Sequence, residues 1–203
     1  MLNSARIFAL AAALPAIAGA SIIQNGSFEA TSIEGEFAYA ELNAGSDVIS
    51  GWTVTGTGVD VIGTHWAASQ GSNSLDMNGL LAGGGVSQTF ETIVGQEYAL
   101  TFDMSANMFL GPNEKVLGVS VAGHLEEHSF DYMGFEATAS DPKWTQVTIN
   151  FTADETSTTL SFFGVNSGAA GAALDNVAVN PVPAPGALAG LGLAGLFGAR
   201  RRR

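Results

Sequence analysis

Three sets of residues in this chain have types and spacings that could do chemistry. The first is His124-Leu125-Glu126-Glu127-His128, which matches the H-x-x-E-H string of inverted zinc proteases. Two histidines four residues apart reach one metal ion only when a helix puts them on one face. Here the string follows the alternating run Lys115 to Val121 and Ala122-Gly123, then enters Phe130-Asp131-Tyr132. It reads as a strand-turn-strand junction, which cannot build that centre. The second set is the 19 acidic residues. Two carboxyls at the right separation could hydrolyse a glycoside, but spacing singles out no pair. Asp76-Met77-Asn78-Gly79 opens like a calcium loop, yet Ser87 stands where the closing glutamate belongs. The third set surrounds Trp66, which follows Thr64-His65 in a loop after the strand-like Asp60 to Ile62. An exposed tryptophan there would offer its flat face to a sugar ring while Asp60 and His65 bond hydroxyls; the alternative is a partly buried loop anchor. Tyr132 is a second aromatic candidate. There is no cysteine and no G-x-S-x-G elbow. The chemistry-bearing residues favour a binding surface over an enzyme.

The elements that must position these groups read as strands. Large apolar side chains occupy alternate positions in Tyr98 to Met104, at Leu117, Val119 and Val121, at Val147, Ile149 and Phe151, and at Leu160 and Phe162. Period two buries one face of a strand and wets the other. Gly83-Gly84-Gly85, Gly111-Pro112-Asn113 and Asp141-Pro142 supply turns between the runs. Many short strands without a helical period imply an all-β antiparallel sandwich. Trp52 and Trp144 belong to strand-like runs and read as core.

The two ends differ in composition from the middle. Arg6 precedes the apolar run Ile7 to Ala18, and Ala18-Gly19-Ala20 offers small residues for cleavage after Ala20. Residues 1–20 therefore read as a signal peptide, with a buried N-terminal helix as the alternative. Arg200, Arg201, Arg202 and Arg203 close the chain, so residues 21–180 hold only Lys115 and Lys143 against all 19 acids. A surface of that sign repels phosphate backbones, which excludes nucleic acid as a partner. Pro181-Val182-Pro183-Ala184-Pro185 should end the last ladder and begin a linker, because proline lacks the amide donor. Gly186 to Ala199 is uncharged and would span about 21 Å as a helix, short of a bilayer. Contact with a membrane is then transient, unless the segment is a weak anchor.

This tail resembles the PEP-CTERM sorting signal in its VPxP form, carried by Val182, Pro183 and Pro185, the apolar span and the four arginines. That resemblance implies an exported bacterial envelope or matrix protein with an exosortase as processing partner. The body resembles the choice-of-anchor C family in "NGSFE" (Asn25 to Glu29), "SGWTVTGTGVDVI" (Ser50 to Ile62), "GSNSLDMNG" (Gly71 to Gly79), "GGVSQTFET" (Gly84 to Thr92), "YALTFDMSAN" (Tyr98 to Asn107) and "ALDNVAV" (Ala173 to Val179). The resemblance implies a galactose-binding-like jelly roll of the kind used by carbohydrate-binding modules. It also implies a structural calcium ion (Ca2+), because related modules hold calcium between an early "GxFE" glutamate, here Glu29, and an aspartate near the last strand, here Asp175. Asp175 has the parity of Val177 and Val179, so it reads as facing the core, where a carboxylate must be protonated, paired or metal-bound. The alternative is that Asp175 caps a turn through Asn176 while Glu29 is solvated. The function expected is non-catalytic binding of polysaccharide outside the cell. A purely structural matrix protein acting through divalent cations and, last, a hydrolase are its rivals.

Overall fold

Each alternating apolar run becomes a strand whose large side chains enter one core between two sheets. The computed structural model describes residues 21–79 and 81–183. Ala20 with the rest of the signal segment, and Pro185 and Arg200 to Arg203 of the tail, lie outside the described residues. The strands are β1 (Tyr39–Leu42), β2 (Thr53–Gly56), β3 (Val59–Ile62), β4 (Ser74–Asp76), β5 (Gly84–Glu91), β6 (Glu97–Ala106), β7 (Glu114–Val121), β8 (His124–Asp131), β9 (Thr145–Thr152), β10 (Ser157–Gly164) and β11 (Ala172–Pro181). They form an all-β antiparallel sandwich of a six-stranded sheet, β1-β3-β4-β11-β6-β9, and a five-stranded sheet, β2-β5-β10-β7-β8. No helix occurs among the described residues.

Leu100, Phe102, Met104, Leu117, Val119, Leu160 and Phe162 all lie in the inter-sheet core, as period two requires. Trp52 joins them, 5.4 Å from Phe28 and 6.3 Å from Phe162 between ring centroids. Phe102 meets Phe162 edge to face at 5.0 Å, the arrangement in which a positive ring edge faces a negative ring face.

Two sequence expectations are corrected here. β11 continues through Pro181, which pairs with Tyr98 of β6. The missing proline amide does not end the ladder, because the next amide, Val182, donates to the Glu97 carbonyl at 2.8 Å. The second correction concerns Asp175, which is fully buried as expected, but on the other face of its sheet. The β6–β11 register slips between Asp175 and Ala178, and Asn176 takes a left-handed φ of 52°. This bulge inserts a residue and reverses parity. Leu174, Val177 and Val179 face the core, whereas Asp175 pairs with Asp103 on the outer face of the six-stranded sheet.

That outer face is not wet throughout. The loop between β3 and β4 folds back over it, and Ile62, Trp66 and Ala173 make a second apolar cluster flanked by Ala139 and Trp144. The Ala67 amide donates to Ala139 O at 2.8 Å, and Trp144 Nε1 donates to Ala67 O at 2.9 Å.

Candidate functional site

Val59, Val61 and Leu75 enter the inter-sheet core, so strand alternation turns Asp60, Ile62, Ser74 and Asp76 outward. β1 pairs with β3 so that Glu41 opposes Asp60 and Tyr39 opposes Ile62, and β4 pairs so that Asp76 opposes Asp60. Glu41, Asp60 and Asp76 thus form one row across three strands, with Tyr39 in the next row. Directly opposed like charges repel at this spacing.

The three carboxyls meet different fates. Asp76 is 1% exposed. Its Oδ1 accepts the amides of Asn78 (3.0 Å) and Gly171 (2.9 Å), and its Oδ2 accepts Asn107 Nδ2 (2.6 Å). Burial raises its pKa against these donors and the nearby Lys115 charge. Asp60 is 9% exposed, and its Oδ1 is buried without a hydrogen-bond partner. Burial first, then the charges of Asp76 and Glu41, push its pKa up to about 7. Glu41 is exposed.

Glu41 and Asp60 line a cleft of about 310 Å³, with Asp76 buried behind them. Tyr39 and Phe109, both half-exposed, and His65 form its aromatic wall. The His65 ring lies 5.9 Å from Tyr39 and 4.3 Å from Phe109. Buried polar groups fix Phe109 and the rim that continues from it. Asn107 Oδ1 accepts the Phe109 amide at 3.0 Å, so Asp76 sets Phe109 through Asn107. The fully buried Lys115 ammonium donates to Leu110 O (2.6 Å) and Ala170 O (2.8 Å). Burial lowers its pKa, and the Asp76 charge opposes that shift. Asn78 Nδ2 donates to Asn166 O and Gly168 O at 2.9 and 2.7 Å, holding the loop that carries Ala169. A wider depression of about 690 Å³ lies beside Gln24 and Gln88. There Gln88 closes on the Gln24 backbone with both amide atoms, at 2.8 and 2.9 Å.

Of the residues singled out in the sequence as sugar contacts, Asp60 and His65 line the cleft. Trp66 does not supply the exposed face expected of it. It is 3% exposed, its Nε1 donates to Ser74 Oγ at 2.9 Å, and its ring backs His65 at 5.6 Å. The apolar outer face over Ile62 and Ala173 needs covering, and Trp66 covers it. Tyr132 lies past the end of β8, half-buried against the main core, with its amide on Asn113 O; it is not among the residues lining the cleft. Sequence reasoning missed Tyr39, Glu41, Asn107 and Phe109. The H-x-x-E-H string lies within β8. There His124 and His128 are about 13 Å apart along the strand, and Glu127 points to the other face.

Glu29 and Asp175 grip one loop from two sides. Asp175 Oδ2 accepts the amides of Ser69 and Gln70, both at 2.8 Å, and its Oδ1 accepts the Asn176 amide at 2.6 Å. Glu29 Oε1 accepts the amides of Ser72 (2.9 Å) and Asn73 (2.7 Å). Gly71 sits between them with φ 71°, and a Cβ there would lie 2.5 Å from the Glu29 carboxyl. Asp103 Oδ2 accepts Ser69 Oγ and Asn176 Nδ2. Burial raises the Asp175 pKa to about 7; the loop amides oppose this and the Asp103 charge adds to it. Backbone amides thus bond Glu29 Oε1 and both Asp175 oxygens. Among the described residues, no group of three or more His, Cys, Asp or Glu side chains gathers as a metal site.

Comparison with known proteins places these features in context. The family described as "Protein of unknown function (DUF642)" matches residues 21–180. Halomucin of Haloquadratum walsbyi is 34% identical over an alignment of 164 residues that covers 78% of this chain and 2% of halomucin. This chain therefore spans a small fraction of that relative's length. Among solved structures, TmCBM61 in complex with β-1,4-galactotriose shares the fold with a TM-score of 0.53 at 19% identity, covering 81% of this chain and all of that one. A family 35 carbohydrate binding module from Clostridium thermocellum gives 0.48 at 14% identity, covering 71% of this chain and 98% of the module.

Proposed function

This chain belongs to the DUF642 family, and from its jelly-roll fold and its cleft we propose that it binds carbohydrate without catalysing a reaction. The observation that carries the reading is the cleft itself, where half-exposed Tyr39 and Phe109 stand beside the carboxyl residues Glu41 and Asp60. Sugar rings present apolar C–H faces and hydroxyl edges, so aromatic planes beside carboxyl acceptors complement both. The galactotriose in TmCBM61 shows that a module of this fold can serve a saccharide.

The same residues argue against hydrolysis. Glycosidases place two carboxyls on opposite sides of the scissile bond. Glu41 and Asp60 rise from one sheet face in one row, and both Asp76 oxygens are engaged by amides.

Glycan-array screening followed by calorimetry tests the proposal, with Tyr39→Ala and Phe109→Ala as the decisive variants. Loss of at least about tenfold in affinity in each is expected for a stacking contact. Binding that survives both substitutions unchanged places the sugar elsewhere.

Three further elements belong to the proposal. Resemblance to the choice-of-anchor C family and to a PEP-CTERM tail supports export, removal of residues 1–20 and exosortase processing of residues 181–203, with the sandwich displayed at the surface or in the matrix. Resemblance also supports calcium at Glu29 and Asp175, where the opposed Asp103 and Asp175 carboxylates would gain from a hard cation. Calcium there would tie the first segment to the last strand.

A further inference from the structure

We propose that the cleft selects sugars carrying a free ammonium group, of the de-N-acetylated hexosamine class, with the ammonium seated between Asp60 and Glu41 and the ring lying on Tyr39 and Phe109. The inference rests on the carbohydrate reading of the same cleft and names its ligand class.

Charge balance is the starting point. Glu41, Asp60 and Asp76 stand in one row, and no lysine or arginine is among the described residues lining the cleft. Lys115, the nearest ammonium behind the rim, is engaged by Leu110 O and Ala170 O. Asp76 has three donors of its own. Asp60 is nine-tenths buried and lines the cleft, with its Oδ1 sealed beneath the surface and without a partner. A carboxylate with an unpaired buried oxygen is unfavourable, and a proton or a cation held at the cleft surface beside it offsets that cost.

The chemistry of the walls decides which cation. A hard metal ion favours a shell of several oxygen ligands at short range, whereas this cleft sets two carboxyl residues beside aromatic faces. Aromatic faces attract an organic ammonium through their quadrupole, and they favour the apolar face of the ring that carries it. Tyr39, His65 and Phe109 provide such faces beside the carboxyl row. An N-acetyl group is neutral and brings a methyl to the carboxyls, whereas a uronic acid brings a third negative charge. Both should be disfavoured against a free amine.

Calorimetry on the intact chain at pH 7 and low salt tests this with three probes of equal length: β-1,4-linked tetramers of glucosamine, N-acetylglucosamine and glucose. The glucosamine tetramer should bind about tenfold or more tightly than either neutral one, the size of a charge-assisted hydrogen bond. Added salt should shrink the preference. In Asp60→Asn and Glu41→Gln the ratio of glucosamine to glucose affinity should fall toward one. Equal binding of the three tetramers, or a preference that survives both substitutions, overturns the ammonium assignment and leaves carbohydrate binding standing. Failure of all three, together with a blank glycan array, overturns both readings. Thermal melts confirm that each variant is folded before its ratio is read.

Discussion

Replacing Asp60 by asparagine should stabilise the protein, and by an amount that grows with pH. Its carboxyl titrates near 3.8 when unperturbed and near 7 in the fold. Between those values the folded state holds one more proton than the unfolded chain, so raising the pH weakens folding. Below about pH 4 both states are protonated and the penalty vanishes; above about pH 7 both are ionised and it is complete. Each pH unit of displacement is worth about 1.4 kcal/mol, and water in the cleft screens part of it, which leaves about 2–4 kcal/mol at pH 8. The groups facing Asp60 are Glu41 from β1, Asp76 from β4 and His65 from the loop after β3, with Lys115 acting behind Asp76. Asparagine keeps the shape and removes the charge. Thermal melts of the two proteins across pH 4.5 to 8 isolate this group, because shared titrations cancel in the difference. At this size a stabilisation of 1 kcal/mol raises Tm by roughly 2–4 °C. The variant should thus melt within a few degrees of wild type at pH 4.5 and roughly 4–16 °C higher at pH 8. A difference that stays constant with pH, or a variant less stable at pH 8, would refute the buried, unpartnered carboxylate.

Four other outcomes follow from the same contacts. Trp66→Ala should cost about 3–5 kcal/mol in urea unfolding, as expected of a buried indole and not of a surface platform; a loss near zero would restore the exposed reading. Lys115→Met leaves the Leu110 and Ala170 carbonyls without their donor and should cost about 1–3 kcal/mol. Hydrogen exchange in residues 107–113 should speed up with it, and unchanged exchange would remove Lys115 as the residue that positions the rim. Calcium should raise the melting temperature over chelator by mass action; superimposed curves with no calcium by elemental analysis would end the calcium proposal. Intact-mass measurement on envelope material, from a host with an active exosortase, should find no species ending at Arg203, and finding one would sink the sorting proposal.

The inter-sheet core was legible because alternation is a local signal. Tyr98 to Met104, Leu117 to Val121 and Val147 to Phe151 fell on β6, β7 and β9 with the large side chains inward. The cleft was not legible because its members meet only through pairing. Glu41 and Asp60 are 19 positions apart and become neighbours through the β1–β3 register, which no composition or period discloses. Phe109 reaches the wall through Asn107 and Asp76, a chain of two hydrogen bonds. Asp175 shows the opposite failure, since a local rule was applied across a bulge that breaks it. Trp66 is the buried loop anchor that was kept as the alternative to an exposed platform, because the loop returns to cover the outer face of the sheet.

β6 also sets the polarity of the molecule. Its last residues lead into Asn107, which fixes the cleft rim, while its first, Glu97, accepts the Val182 amide, and Gln96 Nε2 donates to Val182 O at 2.8 Å. β11 runs antiparallel beside it, from Ala172 near the cleft to Pro181. Ten residues of extended strand measure about 33 Å. The chain thus leaves the sandwich at Pro183 from the end opposite the cleft. Were the chain held beyond that point, the load would run along β11, where the ladder to β6 resists in shear, and not through the Asp76–Asn107–Phe109 chain that shapes the site. A tethered copy would present the cleft away from its attachment, the orientation that a surface module needs to meet polysaccharide in the surroundings.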